Sequence, residues 1–230
     1  ISRLILAAPG LVVGDTLRDS LGVAAPLDVI AYGIDNGPLD PQPGHSFVVL
    51  DTTAHLEGAR FLVGDDAGMT ARVVGMVGAL QTQPASVKVT LAPDTIVAAD
   101  STEHAVSYDF TAPPDTIAQA TLNVSVRNRT ADAGVEAVIV NYTIDQAPPS
   151  INETPSVVLL NGSVQSTRDT TESNGRASRV ARLRLAALGA YDVDTVIVSA
   201  STAYRGVSLG TVQFIIVFEN TTPSALRLNH

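Results

Sequence analysis

The sequence predicts an all-β protein made of two tandem immunoglobulin-like β-sandwiches. Three observations support this fold class: apolar residues alternate with polar ones in short runs, turn-forming residues separate the runs, and the length suits two domains. The chain has 230 residues, and one sandwich of this type needs about 100. Hydrophobic residues make up 45% of the chain, aromatic residues only 4%, and Trp is absent. The cores are therefore expected to consist of Val, Ala, Leu and Ile.

Alternating polarity identifies the strands. In Thr121–Arg127, every second residue is apolar, which places one face on a core and the other in water. The same pattern marks Ser86–Leu91 and Thr195–Ala200. About seven strands in each half fit an immunoglobulin-like sandwich. Further strands are predicted at Arg3–Ala7, Leu27–Tyr32, Phe47–Leu50, Arg60–Val63, Ala71–Val77, Ala105–Phe110, Val135–Ile144, Val157–Leu160, Arg179–Leu185 and Val212–Phe218.

One segment, Ala177–Leu188, is also rich in residues that favour helices. Its apolar residues alternate around Arg182 and Arg184, so we interpret it as a strand.

The domain boundary is predicted between Pro93 and Asp94. Residues 93–96 and 114–117 share the sequence Pro-Asp-Thr-Ile, but they lie too close together to be domain repeats. Choosing the first makes Thr95–Ala98 the leading strand of the second sandwich. The predicted organisation is a sandwich at 1–93, a sandwich at 94–222 and a C-terminal tail at 223–230.

The charge argues against a nucleic-acid partner. The formal net charge is −9, with a single Lys, Lys88, whereas a nucleic-acid binder needs a basic face. Arg176, Arg179, Arg182 and Arg184 form a local cluster. We interpret it as the solvated face of one strand, with a docking patch for an acidic partner as the alternative.

The absence of Cys and the first residue bear on localisation. Without Cys, the chain has no disulfide, thiolate nucleophile or thiolate metal site. This favours a bacterial envelope protein that is stabilised by burial alone. Ile1 is not an initiator, which a cleaved secretion or lipoprotein signal would explain, with a possible lipid anchor upstream. No apolar run approaches the ~18 residues of a membrane span. We expect an extracytoplasmic protein, in the periplasm or at the cell surface.

Passages in the second half resemble bacterial immunoglobulin-like repeats of the invasin and intimin type. Thr171–Ala177 is similar to the family's Thr-Asp-Ala-Asn-Gly-x-Ala turn before a late strand, with Glu172 in place of Asp. Leu122–Val126 and Val138–Tyr142 are similar to the family's two strands around a short polar turn, and Val196–Ala200 fits its closing strand.

The first half carries a looser resemblance. Leu11–Asp15 is similar to the opening of other bacterial immunoglobulin-like repeats, in which a Val-Gly-Asp turn precedes the second strand. These resemblances imply a spacer or presenter of surface adhesins, lipoproteins or envelope assemblies. They bring no catalytic residues.

Candidate catalytic residues lack the context that catalysis needs. Gly206–Gly210 matches G-x-S-x-G around Ser208, but a nucleophile elbow requires a following helix and a downstream His. A β run follows instead, and His230 is the sole later His. We predict a turn here. The other His residues, His45, His55 and His104, have no metal-ligand spacing.

Acidic loop residues and Asn residues have modest alternative roles. The candidates for calcium binding are Asp65 with Asp66, Asp192 with Asp194, and Asp169 with Glu172. They lack the spacing of a calcium loop, so we interpret them as solvated turn carboxylates.

The N-x-[ST] sequons are interpreted as ordinary polar strand residues rather than glycosylation sites. These sequons begin at Asn123, Asn128, Asn141, Asn152, Asn161 and Asn220.

The sequence therefore predicts a non-catalytic structural or interaction protein with no cofactor, no metal and no catalytic residue. Its expected partners are proteins of a larger envelope or membrane complex. One alternative is a surface adhesin or carbohydrate-binding module. A second is a filament subunit that uses strand addition, because Ile1–Ala8 is apolar and terminal.

Overall fold

The computed structural model describes residues 2–19, 21–109, 118–151, 153–188 and 193–222. Regular structure in these residues is almost entirely β-strand, arranged as two sandwiches in tandem, which confirms the predicted fold class. Within the same ranges, no helix is long and apolar enough to cross a membrane.

The first sandwich has one continuous sheet and one divided layer. The continuous sheet has the order β2-β9-β7-β4, with β8 paired to β7. The other layer contains the pairs β1-β3 and β5-β6, which a hydrogen bond from the N–H of Leu27 to the carbonyl of Arg60 (2.7 Å) connects. The strands are β1 (Ser2–Ile5), β2 (Gly10–Val12), β3 (Asp28–Ala31), β4 (His45–Val49), β5 (Ala54–Glu57), β6 (Phe61–Gly64), β7 (Thr70–Val77), β8 (Leu80–Gln81) and β9 (Ala85–Thr90).

The second sandwich has two continuous sheets. Their orders are β10-β12-β18-β15-β16, with β13 paired to β12, and β11-β20-β19-β14-β17. The strands are β10 (Thr95–Ala98), β11 (Glu103–Tyr108), β12 (Gln119–Asn128), β13 (Ala133–Gly134), β14 (Ile139–Gln146), β15 (Val157–Asn161), β16 (Val164–Gln165), β17 (Arg168–Thr170), β18 (Arg176–Leu183), β19 (Val193–Tyr204) and β20 (Val207–Asn220), with a 3-10 turn at Leu185–Ala187.

Both sandwiches divide their first strand in the same way. The leading piece pairs antiparallel with the second strand (β1 with β3, and β10 with β12). The following piece pairs parallel with the last strand (β2 with β9, and β11 with β20). This repeated topology is the immunoglobulin-like arrangement, in which strands of two sheets enclose one core.

Each sandwich has its own hydrophobic core. The first core draws on residues between Leu4 and Val89, and the second on residues between Ile96 and Phe218. The alternation predicted for Thr121–Arg127 is confirmed, because Leu122, Val124 and Val126 are all fully buried.

Two strand predictions and one turn prediction need correction. The predicted strand Val135–Ile144 is wrong as one element: β13 ends at Gly134, and β14 begins only at Ile139. Ala137 has a φ of +63°, which a β-strand does not accommodate. In Ala177–Leu188, the strand ends at Leu183, and a 3-10 turn follows. The predicted turn at Gly206–Gly210 is confirmed only at its start, because the turn covers Arg205 and Gly206 and β20 begins at Val207.

Other outcomes follow from the same strand list. Six short strands were not predicted: β2, β5, β8, β13, β16 and the edge strand β17. Ser2–Ile5, in the apolar N-terminal segment, pairs with a strand of its own sandwich. The turn before β18, which carries the family resemblance, is closed by a hydrogen bond from the N–H of Gly175 to the carbonyl of Glu172 (2.8 Å).

Candidate interdomain site

The most organised polar site lies where the two sandwiches meet, and Asp15 is its centre. The residue follows β2 in a tight turn, in which the N–H of Asp15 donates to the carbonyl of Val12 (3.0 Å). Gly14 makes this turn possible, because its φ of +70° favours glycine. The turn directs the Asp15 carboxylate toward the second sandwich and leaves it only 6% exposed.

Groups from both sandwiches donate to this carboxylate. From the first sandwich, Arg18 binds it in a bidentate manner, with Nε and Nη2 each at 2.8 Å. From the second, the Tyr204 hydroxyl donates at 2.7 Å, and Arg205 donates from Nε at 3.0 Å and approaches with Nη2 at 2.9 Å. The N–H of Thr16 adds a further bond of 2.9 Å. A single buried acid thus connects two guanidinium groups and one phenol across the junction.

The electrostatics keep Asp15 ionised. Burial by itself would raise the pKa of Asp15, but hydrogen bonds from Arg18, Arg205 and Tyr204 outweigh burial and hold that pKa well below its usual value. Burial and the neighbouring Asp15 carboxylate raise the pKa of Tyr204 to about 12. The phenol therefore remains a hydrogen-bond donor at neutral pH.

A two-residue hairpin positions Tyr204 and Arg205. Tyr204 pairs with Val207 at the ends of β19 and β20, and Arg205 and Gly206 form the turn with φ values of 52° and 73°. Two consecutive residues with positive φ are typical of the hairpin turn that matches the twist of the strands. Because this turn is tight, the Tyr204 and Arg205 side chains reach Asp15 together.

Close backbone approach defines the rest of the junction. A Cβ atom on Gly10 would lie 2.6 Å from the carbonyl oxygen of Ala137, and one on Gly22 would lie 2.0 Å from the amide nitrogen of Gly206. Neither glycine can carry a side chain unless the sandwiches move apart. A second ion pair joins Lys88 Nζ to a Glu136 carboxylate oxygen at 3.3 Å.

A cleft of about 410 Å³ lies beside Asp15 and is lined by both sandwiches. Its wall includes Arg168 and Asn141 from the second sandwich, together with the polar groups around Asp15. The volume is within the range of small-ligand sites, but the described lining contains no paired nucleophile and base. The arrangement can fix the orientation of two domains, and it offers no covalent chemistry.

The sequence-predicted catalytic motif is not assembled. Ser208 lies on β20, and its hydroxyl accepts a hydrogen bond from the N–H of Gly210 (3.2 Å). A nucleophilic Ser needs a base within hydrogen-bond reach. The described His residues serve elsewhere: His45 approaches Asp28 at 3.4 Å, His55 binds Asp65 at 2.9 Å, and His104 packs near Phe214. His230 lies outside the described residues.

The interpretation of the acidic candidates as solvated turn carboxylates is wrong for two of them. Asp169 lies on β17 and forms an ion pair of 3.0 Å with Arg179. Asp194 is buried on β19, where the hydroxyl of Tyr108 donates to it at 3.2 Å. Burial raises the pKa of Asp194, and the Tyr108 hydrogen bond opposes that rise. Asp192 lies outside the described residues, and no group of three potential metal ligands occurs within them.

The interpretation of the arginine cluster as one solvated face is wrong for Arg179. This side chain is 3% exposed, because it points inward with Ala177 and Ala181. Its guanidinium lies 6.0 Å from the Tyr142 ring centroid. Burial and the nearby Asp169 carboxylate raise the pKa of the Tyr142 hydroxyl.

The Asn residues of the predicted sequons occupy different environments. Asn220 is buried, which leaves no room for a glycan in the folded chain. Asn123 donates to Asp100 at 2.7 Å, and Asn128 donates to the carbonyl of Ala92 at 2.8 Å. Asn141 and Asn161 are exposed, whereas Asn152 lies outside the described residues.

Comparisons with known proteins give structural similarities only. No protein-family model and no curated protein matches the chain. Domains 4 and 5 of the S-layer protein SbsC are 15% identical, with a TM-score of 0.33, 95% coverage of this chain and 98% of that one. The Yersinia pseudotuberculosis adhesin InvE is 14% identical, with a TM-score of 0.40, and its match covers 94% of this chain but 58% of the adhesin. The D00-D0 domain of intimin is 15% identical, with a TM-score of 0.29 and coverages of 93% and 99%. The immunoglobulin-like architecture is therefore assigned from the strand order and the two cores.

Proposed function

We propose that the chain is a non-catalytic structural and interaction module that acts outside the cytoplasm. Its two sandwiches, at 1–93 and 94–222, form a stiff unit that packs on a larger envelope or membrane-protein assembly as a scaffold or accessory subunit. The observation that carries this proposal is the buried Asp15 site, because its donors come from both sandwiches.

The chemistry of the Asp15 site favours a fixed orientation. Relative motion is the default for two domains joined by a short polar interface. Here, the Asp15 carboxylate is taken out of water, which is costly unless its donors stay in place. Any rotation of one sandwich would separate Asp15 from Tyr204 and Arg205 while the carboxylate is still buried. The close contact of Gly22 with Gly206 restricts the same motion.

Double electron–electron resonance, which measures the distance between two spin labels, tests this stiffness. The native chain has no Cys, so one Cys in each sandwich, Ala59→Cys and Ser163→Cys, provides a unique pair of labels at exposed sites. We expect a single narrow distance distribution in the parent chain. Asp15→Asn and Asp15→Ala should broaden it, because Tyr204 and Arg205 lose their shared acceptor.

The matched control is Asp65→Asn, which removes an exposed acid that is paired with His55 and lies outside the cleft lining. It should leave the distribution unchanged. A broad distribution in the parent chain would contradict the stiff-module proposal. Fractionation of cells that produce the full-length protein tests the location, with the envelope fraction as the expected result and the cytosol as the opposing one.

A further inference from the structure

We propose that the chain associates with a second copy of itself through β4, the edge strand of the first sandwich. In this pairing, the two β4 strands lie antiparallel, and the β2-β9-β7-β4 sheets of both copies become one continuous sheet. The proposal concerns a surface separate from the Asp15 junction, and it stands or falls independently of the stiff-module function.

The backbone of β4 has an open edge. Its register with β7 pairs Val48 with Val74, and the N–H of Leu50 donates to the carbonyl of Arg72 (2.8 Å). In an antiparallel ladder, alternate residues bond to the partner and the residues between them point the other way. The N–H and C=O groups of His45, Phe47 and Val49 therefore point to the open side, where no described residue hydrogen-bonds to them.

The edge also lacks the features that normally prevent strand pairing. Native edge strands are protected by Lys, Pro, bulges or short length. Between Ser46 and Leu50 there is no charge and no Pro. Two apolar side chains are exposed there, since Val48 and Leu50 are each 45% accessible.

The second sandwich provides an internal comparison. Its β14 corresponds to β4. In the second sandwich the sheet runs β11-β20-β19-β14, and in the first it runs β2-β9-β7-β4, so both strands occupy the fourth position. There, β17 covers Ile139–Asn141, and a bulge between Ile144 and Gln146 interrupts the rest of the strand at Asp145. The corresponding protection is missing from the described part of the first sandwich.

The sequence of the edge fits a second copy because it is complementary to itself. A two-fold axis through Val48 would pair Val48 with its own equivalent at a non-hydrogen-bonded position, where side chains approach most closely. Ser46 would then lie opposite Leu50 of the second copy, so polar and apolar residues alternate across the pair. His45 would lie opposite Asp51 of the second copy, but these side chains already contact Asp28 and Arg72 of their own copy and add no new ion pair, so the fit rests on Val48 and Leu50. A self-complementary patch of this kind gives a closed dimer.

Sedimentation equilibrium tests the association. A pairing of the seven residues from His45 to Asp51 buries less than the ~1,200 Å² of a stable interface, so we expect a weak dimer that appears between about 10 and 500 µM. Val48→Lys should weaken dimerisation at least about tenfold, because it places two like charges on the axis. Leu80→Lys is the control, since Leu80 is 68% exposed on β8 in the same sandwich. It should leave the dissociation constant unchanged, and a parent chain that stays monomeric throughout this range would overturn the proposal.

Disulfide trapping tests the register and does not depend on the stability of the Lys variant. Two Cα atoms at the central position lie about 4.5 Å apart, which suits a disulfide. Val48→Cys should therefore oxidise to a covalent dimer, whereas Ser46→Cys and Leu50→Cys should each remain largely monomeric alone and cross-link when mixed. Equal cross-linking of Val48→Cys and a Leu80→Cys control would refute pairing through β4.

Discussion

The Asp15 carboxylate is the shared hydrogen-bond acceptor of the junction between the two sandwiches. Asp15 follows a glycine turn in the first sandwich, and its partners Tyr204 and Arg205 lie 189 and 190 residues away in sequence. Because the acid accepts charged hydrogen bonds from both sandwiches, it connects the folding of one to the placement of the other. The consequence at the residue scale is a dependence of stability on pH.

Asp15→Asn should lower the free energy of unfolding by about 2–3 kcal/mol at pH 7, because the variant keeps the shape but loses the charge that pairs with Arg18 and Arg205. The folded pKa of Asp15 lies below its unfolded value. Its contribution is therefore complete above the unfolded pKa of about 4, and it is lost as the pH falls toward the folded pKa. Urea unfolding of both chains at pH 7, 5 and 3 measures this. A difference that stays constant down to pH 3 would contradict the assigned role.

The sequence could predict only part of this site. The Val-Gly-Asp resemblance identified the turn that holds Asp15, since Gly14 and Asp15 are adjacent. Nothing local connects that turn with the Arg205-Gly206 hairpin, because their contact depends on how two complete domains pack. The alternation of apolar and polar residues predicts strands, but it carries no information about contacts between two domains.

At the scale of the elements, side-chain contacts of Asp169 help to hold the short strand β17 in place. It has three residues and pairs only with the start of β14 in one sheet. Asp169 joins it to β18 in the other sheet, through the ion pair with Arg179 and through a bond of 2.7 Å from the N–H of Ser178. Asp169 therefore connects the edge strand β17 of one sheet to β18 of the other sheet.

The two members of the Arg179–Asp169 pair should not be equally costly to remove. Asp169→Ala leaves a guanidinium that is 3% exposed without its counter-ion, and we expect a loss of about 3 kcal/mol. Arg179→Met leaves a carboxylate that is 22% exposed and can reach water, so the loss should be about 1 kcal/mol. Urea unfolding of both variants measures the difference. Equal losses, or a larger one for Arg179→Met, would show that the pair does not behave as a buried cation with a wetter anion.

Strand prediction succeeded where burial was regular and failed where it was not. Leu122, Val124 and Val126 alternate without interruption and gave β12 correctly. The sequence of Val135–Ile144 predicted one continuous strand, but Ala137 has a positive φ and β14 begins only at Ile139. Arg179 was assigned to the solvent because Arg is rarely buried, although its place between Ala177 and Ala181 in the alternation is inward.

At the scale of the whole molecule, two similar sandwiches with separate cores meet at a polar junction. Each core is assembled from its own half, between Leu4 and Val89 or between Ile96 and Phe218. Composition and strand count were sufficient to predict this arrangement. They could not reveal the orientation of the halves, which glycine contacts and one acid determine.

The divided first strand gives the chain a mechanical property. When the two ends are pulled apart, the parallel pairs β2-β9 and β11-β20 are loaded along their length, so their hydrogen bonds resist the force together and not one after another. The first sandwich has three such residue pairs, Gly10 to Val12, whereas the second has six, Glu103 to Tyr108. Single-molecule stretching should therefore show two rupture events, the weaker one from the first sandwich. In this parallel ladder the even-numbered residues of β11 bond to β20, since Thr102 and Tyr108 accept from the N–H groups of Ile215 and Thr221. Val106→Pro should therefore remove a backbone donor from the middle of the ladder and lower the second rupture force to that of the first or below it.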